Sequence, residues 1–162
     1  MNKVPDSLHG RRSIIDRREV ADALNAQLAA LSDATARRQA IVSALRGALA
    51  QGRQEVSRRL AANPTRGRDA VTAQAFLMDQ IIRLLFDATV KYLYPISNPT
   101  AAARLSVVAV GGYGRGEMAP YSDVDIGFIT PYKPTEWTEQ VIESMLYALW
   151  DLGLKIGHSS RS

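Results

Sequence analysis

The apolar residues of this chain change their spacing once, near Pro95, and that change limits the possible folds more than any other feature. Before it, Val20, Leu24, Leu28 and Leu31 form one series and Ile41, Leu45, Leu49, Val56 and Leu60 a second, stepping by multiples of three and four as a helix face does. Ser32-Asp33 offers a cap for the second helix, while Gly47 and Gly52 each cost ~1 kcal/mol against alanine there. "NPTRG", residues 63–67, breaks the pattern, because proline disfavours helix for its predecessor and glycine follows. A third helix is expected over 69–94, with Val71, Ala75, Met78, Ile82, Leu85 and Thr89 on one face, widened by Phe76, Ile81 and Phe86. So broad a stripe implies burial against more than one neighbour.

Beyond Pro95 the run "RLSVVAVGG", residues 104–112, is β-branched without polar alternation, the pattern of a strand buried on both faces. "SDVDIGFIT", residues 122–130, alternates with period two and reads as a second strand. Thr135, with Glu136 behind it, fits the N-cap of a fourth helix that buries Val141, Met145, Leu149 and Leu152 and stops at Gly153. "LKIGHSSRS" then begins a third strand. Helices followed by strands with one crossover helix make an α+β domain. The expected division is a helical amino-terminal extension over 1–67, its first dozen residues disordered, and a second unit over 68–162.

The absence of cysteine excludes disulfides and thiolate metal sites and suits a reducing cytoplasm. No apolar run approaches the ~18 to 20 residues of a membrane span, so a soluble, cytoplasmic protein without a membrane partner is expected. The net charge is +4, and the excess of base lies in residues 1–68. A nucleic-acid-binding arm is the less favoured explanation, since no aromatic residue interleaves with those arginines for stacking; a solvated helical surface accounts for them.

The chemistry concentrates in "GGYGRGEMAPYSDVDIGF", residues 111–128. Asp123 and Asp125 sit two apart on a strand, so their carboxylates share a face while Val124 and Ile126 turn into the core. Two like charges with no intervening base repel unless a cation lies between them, and hard oxygen ligands suit Mg²⁺. A solvated polar face is the commoner reason for such a pair. Gly111 and Gly112 follow a strand, where missing side chains let backbone N–H groups approach an anion. Arg115 could grip a phosphate with two bonds, and Ser122 could donate its hydroxyl to one. A glycine turn demanding positive φ, with Arg115 solvated, explains the same residues structurally. "GRGEMA" matches a dinucleotide-binding fingerprint in letters only, because Pro120 and a strand follow where a helix should open, and no Walker-type loop occurs.

A strand, a double glycine, an arginine-bearing loop and Ser-Asp-x-Asp on the next strand together resemble the nucleotidyltransferase superfamily of DNA polymerase β. Within it, "VAVGGYGRGEMAPYSDVDIGF" and "LYALWDLGLKIGHSSRS" resemble the bacterial PII uridylyltransferase/uridylyl-removing enzymes, over about residues 105–162. Asp79 on the third helix also matches, less specifically.

The resemblance implies an incomplete polymerase-β-type core, a mixed sheet with flanking helices. It implies UTP as substrate, the signalling protein PII as partner and transfer of UMP to a tyrosine hydroxyl with Mg²⁺. Gly111 and Gly112 would contact the triphosphate, Ser122 would help hold it, and Asp123 and Asp125 would be the catalytic metal ligands. Arg115 as a phosphate contact follows from its position alone, and His158 and Arg161 match the family pattern without an assigned role.

The family also uses a third carboxylate, an HD phosphohydrolase domain and tandem ACT domains, all expected beyond Ser162. The chain is therefore expected to be an amino-terminal part that is inactive alone. Two rivals are an adenylyltransferase of the same fold and a non-catalytic interaction module whose basic helices dock a partner.

Overall fold

The computed structural model describes residues 10–98 and 100–162. Its elements run α1 (Arg11–Ile14), α2 (Arg17–Ala29), α3 (Ala34–Ala62), α4 (Gly67–Ala88), β1 (Ser106–Ala109), α5 (Gly111–Gly114), β2 (Val124–Ile129), α6 (Glu136–Asp151) and β3 (Ile156–Arg161). The architecture is α+β, helical at the front and carrying a small mixed sheet behind.

The helices form where the apolar series expects them. Leu24 and Leu28 of α2 and Ile41, Leu45, Leu49 and Val56 of α3 are buried. Asp33 caps α3 by accepting the Ala36 N–H at 2.8 Å. Asp16 does the same for α2 through Glu19 at 3.2 Å. The helix α3 runs unbroken through both glycines. Gly47 is exposed, whereas Gly52 is buried, and any side chain there would strike Leu77 of α4. One glycine is a cost; the other is the seat of a helix crossing.

The apolar face of α4 is wider than its spacing suggests. Leu77 and Leu84 are buried besides the expected positions, and so are Gln74 and Gln80. The Gln80 carbonyl accepts from Arg17 Nε at 2.9 Å. The helix ends in a π-helical turn over Thr89–Leu93. Arg37 braces that turn by donating to Tyr92 O (3.1 Å) and to Leu31 O (2.9 Å), and Trp137 Nε1 donates to Tyr94 O at 2.7 Å.

Two expectations need correction here. Residues 1–9 lie outside the described residues, but residues 10–12, expected to be disordered, belong to a turn and to α1. Arg59 holds them by donating to Gly10 O (2.6 Å) and Ser13 Oγ (2.8 Å). Nor is the first strand buried on both faces: the sheet order is β1-β2-β3, so β1 is an edge strand, with Val107 and Val108 half-buried and Ser106 and Ala109 exposed. A β-branched run reports strand preference, and its place in the sheet is decided by tertiary pairing.

Strand β1 pairs antiparallel with β2, and β2 pairs parallel with β3 across the α6 crossover. On β2, Val124, Ile126 and Phe128 are buried, as period two requires. Thr135 and Thr138 form a reciprocal capping box on α6, whose Val141, Met145 and Leu149 are fully buried. Gly153, at φ 78, ends the helix. Among the described residues no helix is long and apolar enough to cross a membrane.

Candidate functional site

The site is built where β1 ends beside the start of β2. Val110 N–H donates to Asp125 O at 3.0 Å, which ties the end of one strand to the start of the next. Gly111 then takes φ 61 and the chain closes into the single turn of α5. Thus the glycine pair lies in a helical turn, neither in the strand nor in a hairpin. Among the described residues its N–H groups donate to no carbonyl outside the turn.

The glycines serve more than one purpose. A Cβ on Gly114 would lie 2.9 Å from Ala109 O, and one on Gly112 would lie 3.1 Å from Glu117 O. Those two are demanded by close backbone approach and not by positive φ, which in this loop belongs to Gly111 and Gly116. Gly111 differs: besides its positive φ, a Cβ there would lie 3.0 Å from Asp125 Oδ2. On the other side of the same carboxylate, a Cβ on Gly157 would collide with Oδ1. Asp125 and Gly157 are register partners in the parallel pair. The Asp125 carboxylate therefore stands in a slot between two residues that have no side chain.

Asp125 is half-buried and Asp123, one residue before β2, is exposed. Because Val124 and Ile126 are buried, both carboxylates project from the opposite face. Neither makes an ion pair or a side-chain hydrogen bond among the described residues. No cluster of three or more metal-ligating side chains exists among them either. The pair fits Mg²⁺, which binds through one or two carboxylates and leaves its other positions to water and phosphate.

The surrounding loop is held from α4. The Tyr113 hydroxyl donates to Asp79 Oδ1 at 2.5 Å, and the ring is 6% exposed. Burial pushes the phenol's ionisation well above its ordinary range, and the adjacent carboxylate adds to the effect, so this hydroxyl stays a donor. Met118, also buried, donates its N–H to Val71 O at 3.3 Å. Arg115 lies over the glycine turn, with Nη2 3.7 Å from where a Gly112 Cβ would sit, and pairs loosely with Glu117 at 3.7 Å. Both partners are two-thirds exposed, so the pair leaves Arg115 available to an anion. Ser122 is half-buried, its N–H bonded to Ala119 O at 3.1 Å.

Asp123, Asp125, Gly111, Gly112, Arg115 and Ser122 thus share one end of the sheet. His158 and Arg161 do not join them. His158 pairs in register with Ile126 and its ring meets Trp150 edge-on at 6.5 Å, on the face of β3 opposite to Gly157. Gly157 lies within the second stretch of the resemblance, but its place against Asp125 shows only once the parallel register is known. Two clefts of about 480 and 600 Å³ lie elsewhere, between α3, α4 and α6 and beside α1, and neither is lined by the aspartates.

A family model described as "Nucleotidyltransferase domain" matches residues 98–156. The chain is 56% identical over 152 residues to the bifunctional uridylyltransferase/uridylyl-removing enzyme of Novosphingobium aromaticivorans, covering 94% of this chain and 16% of that protein. It is 49% identical to the proteins of the same name from Erythrobacter litoralis and Rhodospirillum rubrum, over 94% and 93% of this chain and 16% of each relative. The chain thus spans about one sixth of the length of these relatives. No solved structure matches it at a significant level.

Proposed function

Because the chain belongs, over the stretch it covers, to the family of bifunctional uridylyltransferase/uridylyl-removing enzymes, we propose that residues 111–125 form the nucleotide-binding part of a uridylyltransferase site. The substrate is Mg-UTP. The reaction is transfer of UMP to a tyrosine hydroxyl of a PII-type signalling protein, with pyrophosphate leaving. The observation that carries this reading is the unpaired Asp125 carboxylate in its slot between Gly111 and Gly157, beside an equally unpaired Asp123.

In this reading Asp123 and Asp125 hold Mg²⁺, and when bound the ion neutralises charge on the phosphates. The chain's own residues do the positioning. The N–H groups of Gly111 and Gly112 and the Ser122 hydroxyl orient phosphate oxygens, and Arg115 swings from Glu117 to the triphosphate. Both carboxylates are committed to the cation, so they bind and orient rather than take the acceptor's proton.

Titration of the chain with UTP, with and without Mg²⁺, tests the reading. Wild-type chain is expected to bind UTP only with Mg²⁺, and Asp123→Asn and Asp125→Asn to lose that dependence. Binding unaltered by both substitutions sinks the site. Stronger competition by ATP than by UTP would favour an adenylyltransferase. The interaction-module reading is weaker because several front-end arginines tie parts of the fold together: Arg17, Arg37, Arg38, Arg46 and Arg59 all donate to α-helical or loop partners.

A further inference from the structure

Residues 119–122 form a turn closed by the Ser122 N–H to Ala119 O bond at 3.1 Å, with Pro120 in second place and Tyr121 third at φ 62. That is the pattern of a type II turn, whose third place is held by glycine or asparagine because it needs positive φ. Among the described residues Tyr121 is the one residue other than glycine with positive φ. Burial does not hold it there, since it is 78% exposed. Among the described residues its ring makes a single cation–π contact.

The partner is Arg53, midway along α3 and remote in sequence. Its guanidinium carbon lies 4.9 Å from the centre of the Tyr121 ring. Arg53 has no carboxylate partner among the described residues, and its Nε is buried without a hydrogen bond. Guanidinium groups in folded proteins are ordinarily paired; this one lies over a ring instead. The turn leads directly into Ser122 and Asp123, and Val124 is fastened to Lys155 O at 2.8 Å. Both ends of the short segment carrying Asp123 are thereby fixed, one by the sheet and one by α3.

We infer that Arg53 is a positioning residue: its stack on Tyr121 locks the turn at 119–122 and so sets Ser122 and Asp123 against the glycine turn. The contact stands on its own geometry, while its consequence for nucleotide binding rests on the uridylyltransferase reading.

Amide hydrogen exchange at Ser122 and Mg-UTP titration of the whole chain test it together. Arg53→Ala is expected to speed Ser122 exchange and to weaken Mg-UTP binding by about two- to fivefold, the size of an exposed cation–π contact. Arg53→Lys, which keeps the charge but loses the planar face, should fall between. Adding Tyr121→Gly to Arg53→Ala should restore both, because glycine takes positive φ unaided.

Unchanged exchange in Arg53→Ala overturns the inference. So does loss of binding that Tyr121→Gly fails to restore, since Arg53 would then touch the nucleotide itself. If the wild-type chain binds no Mg-UTP, the nucleotide reading falls, and the exchange measurement still decides the contact.

Discussion

Asp125 owes its position to two neighbours that lack side chains, and Gly157 is the more exacting of them. Gly111, at φ 61, also resists a side chain, but a Cβ on Gly157, inside a paired strand opposite the aspartate, would collide with the carboxylate outright. Gly157→Ala is therefore expected to displace the carboxylate and weaken Mg-dependent UTP binding about tenfold or more, a misplacement cost typical of ligand groups. The melting temperature should move little, since residue 157 is outside the apolar core. Retained Mg-dependent binding in this variant would show the slot to be incidental. The placement of the aspartates and the glycine pair was legible in the sequence because their spacing is local: a step of two across the start of one strand, a turn directly after another. Gly157 was not, since its meaning depends on which residue it faces across a parallel pair. The arginine partners were equally hidden, because a guanidinium accepts almost any carbonyl within reach.

Among the elements, α3 offers a matched comparison in one helix. Gly47→Ala meets nothing within 4 Å and removes the entropic penalty of glycine, so it should stabilise the chain by roughly 0.5–1 kcal/mol. Gly52→Ala forces the fully buried Leu77 out of its seat and should destabilise by about 1–3 kcal/mol, the cost of overpacking. Urea midpoints of the two variants against wild type decide it; equal effects would mean that α3 and α4 do not cross at Gly52. Caps at Asp33 and Thr135 could be read from sequence, being satisfied within three residues. The edge position of β1 could not, because the same valines suit a central or a flanking strand.

At the scale of the whole molecule, Glu55 ties the end of α3 together and, through Arg59, reaches α1. Hydrogen bonds from Arg58 and then Arg59 lower its carboxyl from 4.5 to about 2, outweighing the opposing effect of burial. A depressed carboxylate contributes stability that is complete above its unfolded pKa and is lost as pH falls through the folded one. The contribution, about 1 kcal/mol once solvent screening of the exposed Arg58 is allowed for, should thus fade between pH 4.5 and 2. Glu55→Gln should melt below wild type at pH 7 and together with it near pH 2. A constant difference across that range would remove the ion cluster from the account of stability.

The parallel pairing of β2 with β3 also sets an order of events. The helices α3 and α4 meet across a tight connection, so they can find each other early. Strand β3 can pair only after α6 has formed and folded back, and the loop-closure entropy must be met before that pairing gives any return. Gly157 arrives with β3, so the slot around Asp125 cannot be complete before that long-range pairing is made. A newly made chain would hold its helical core before the slot around Asp125 could close.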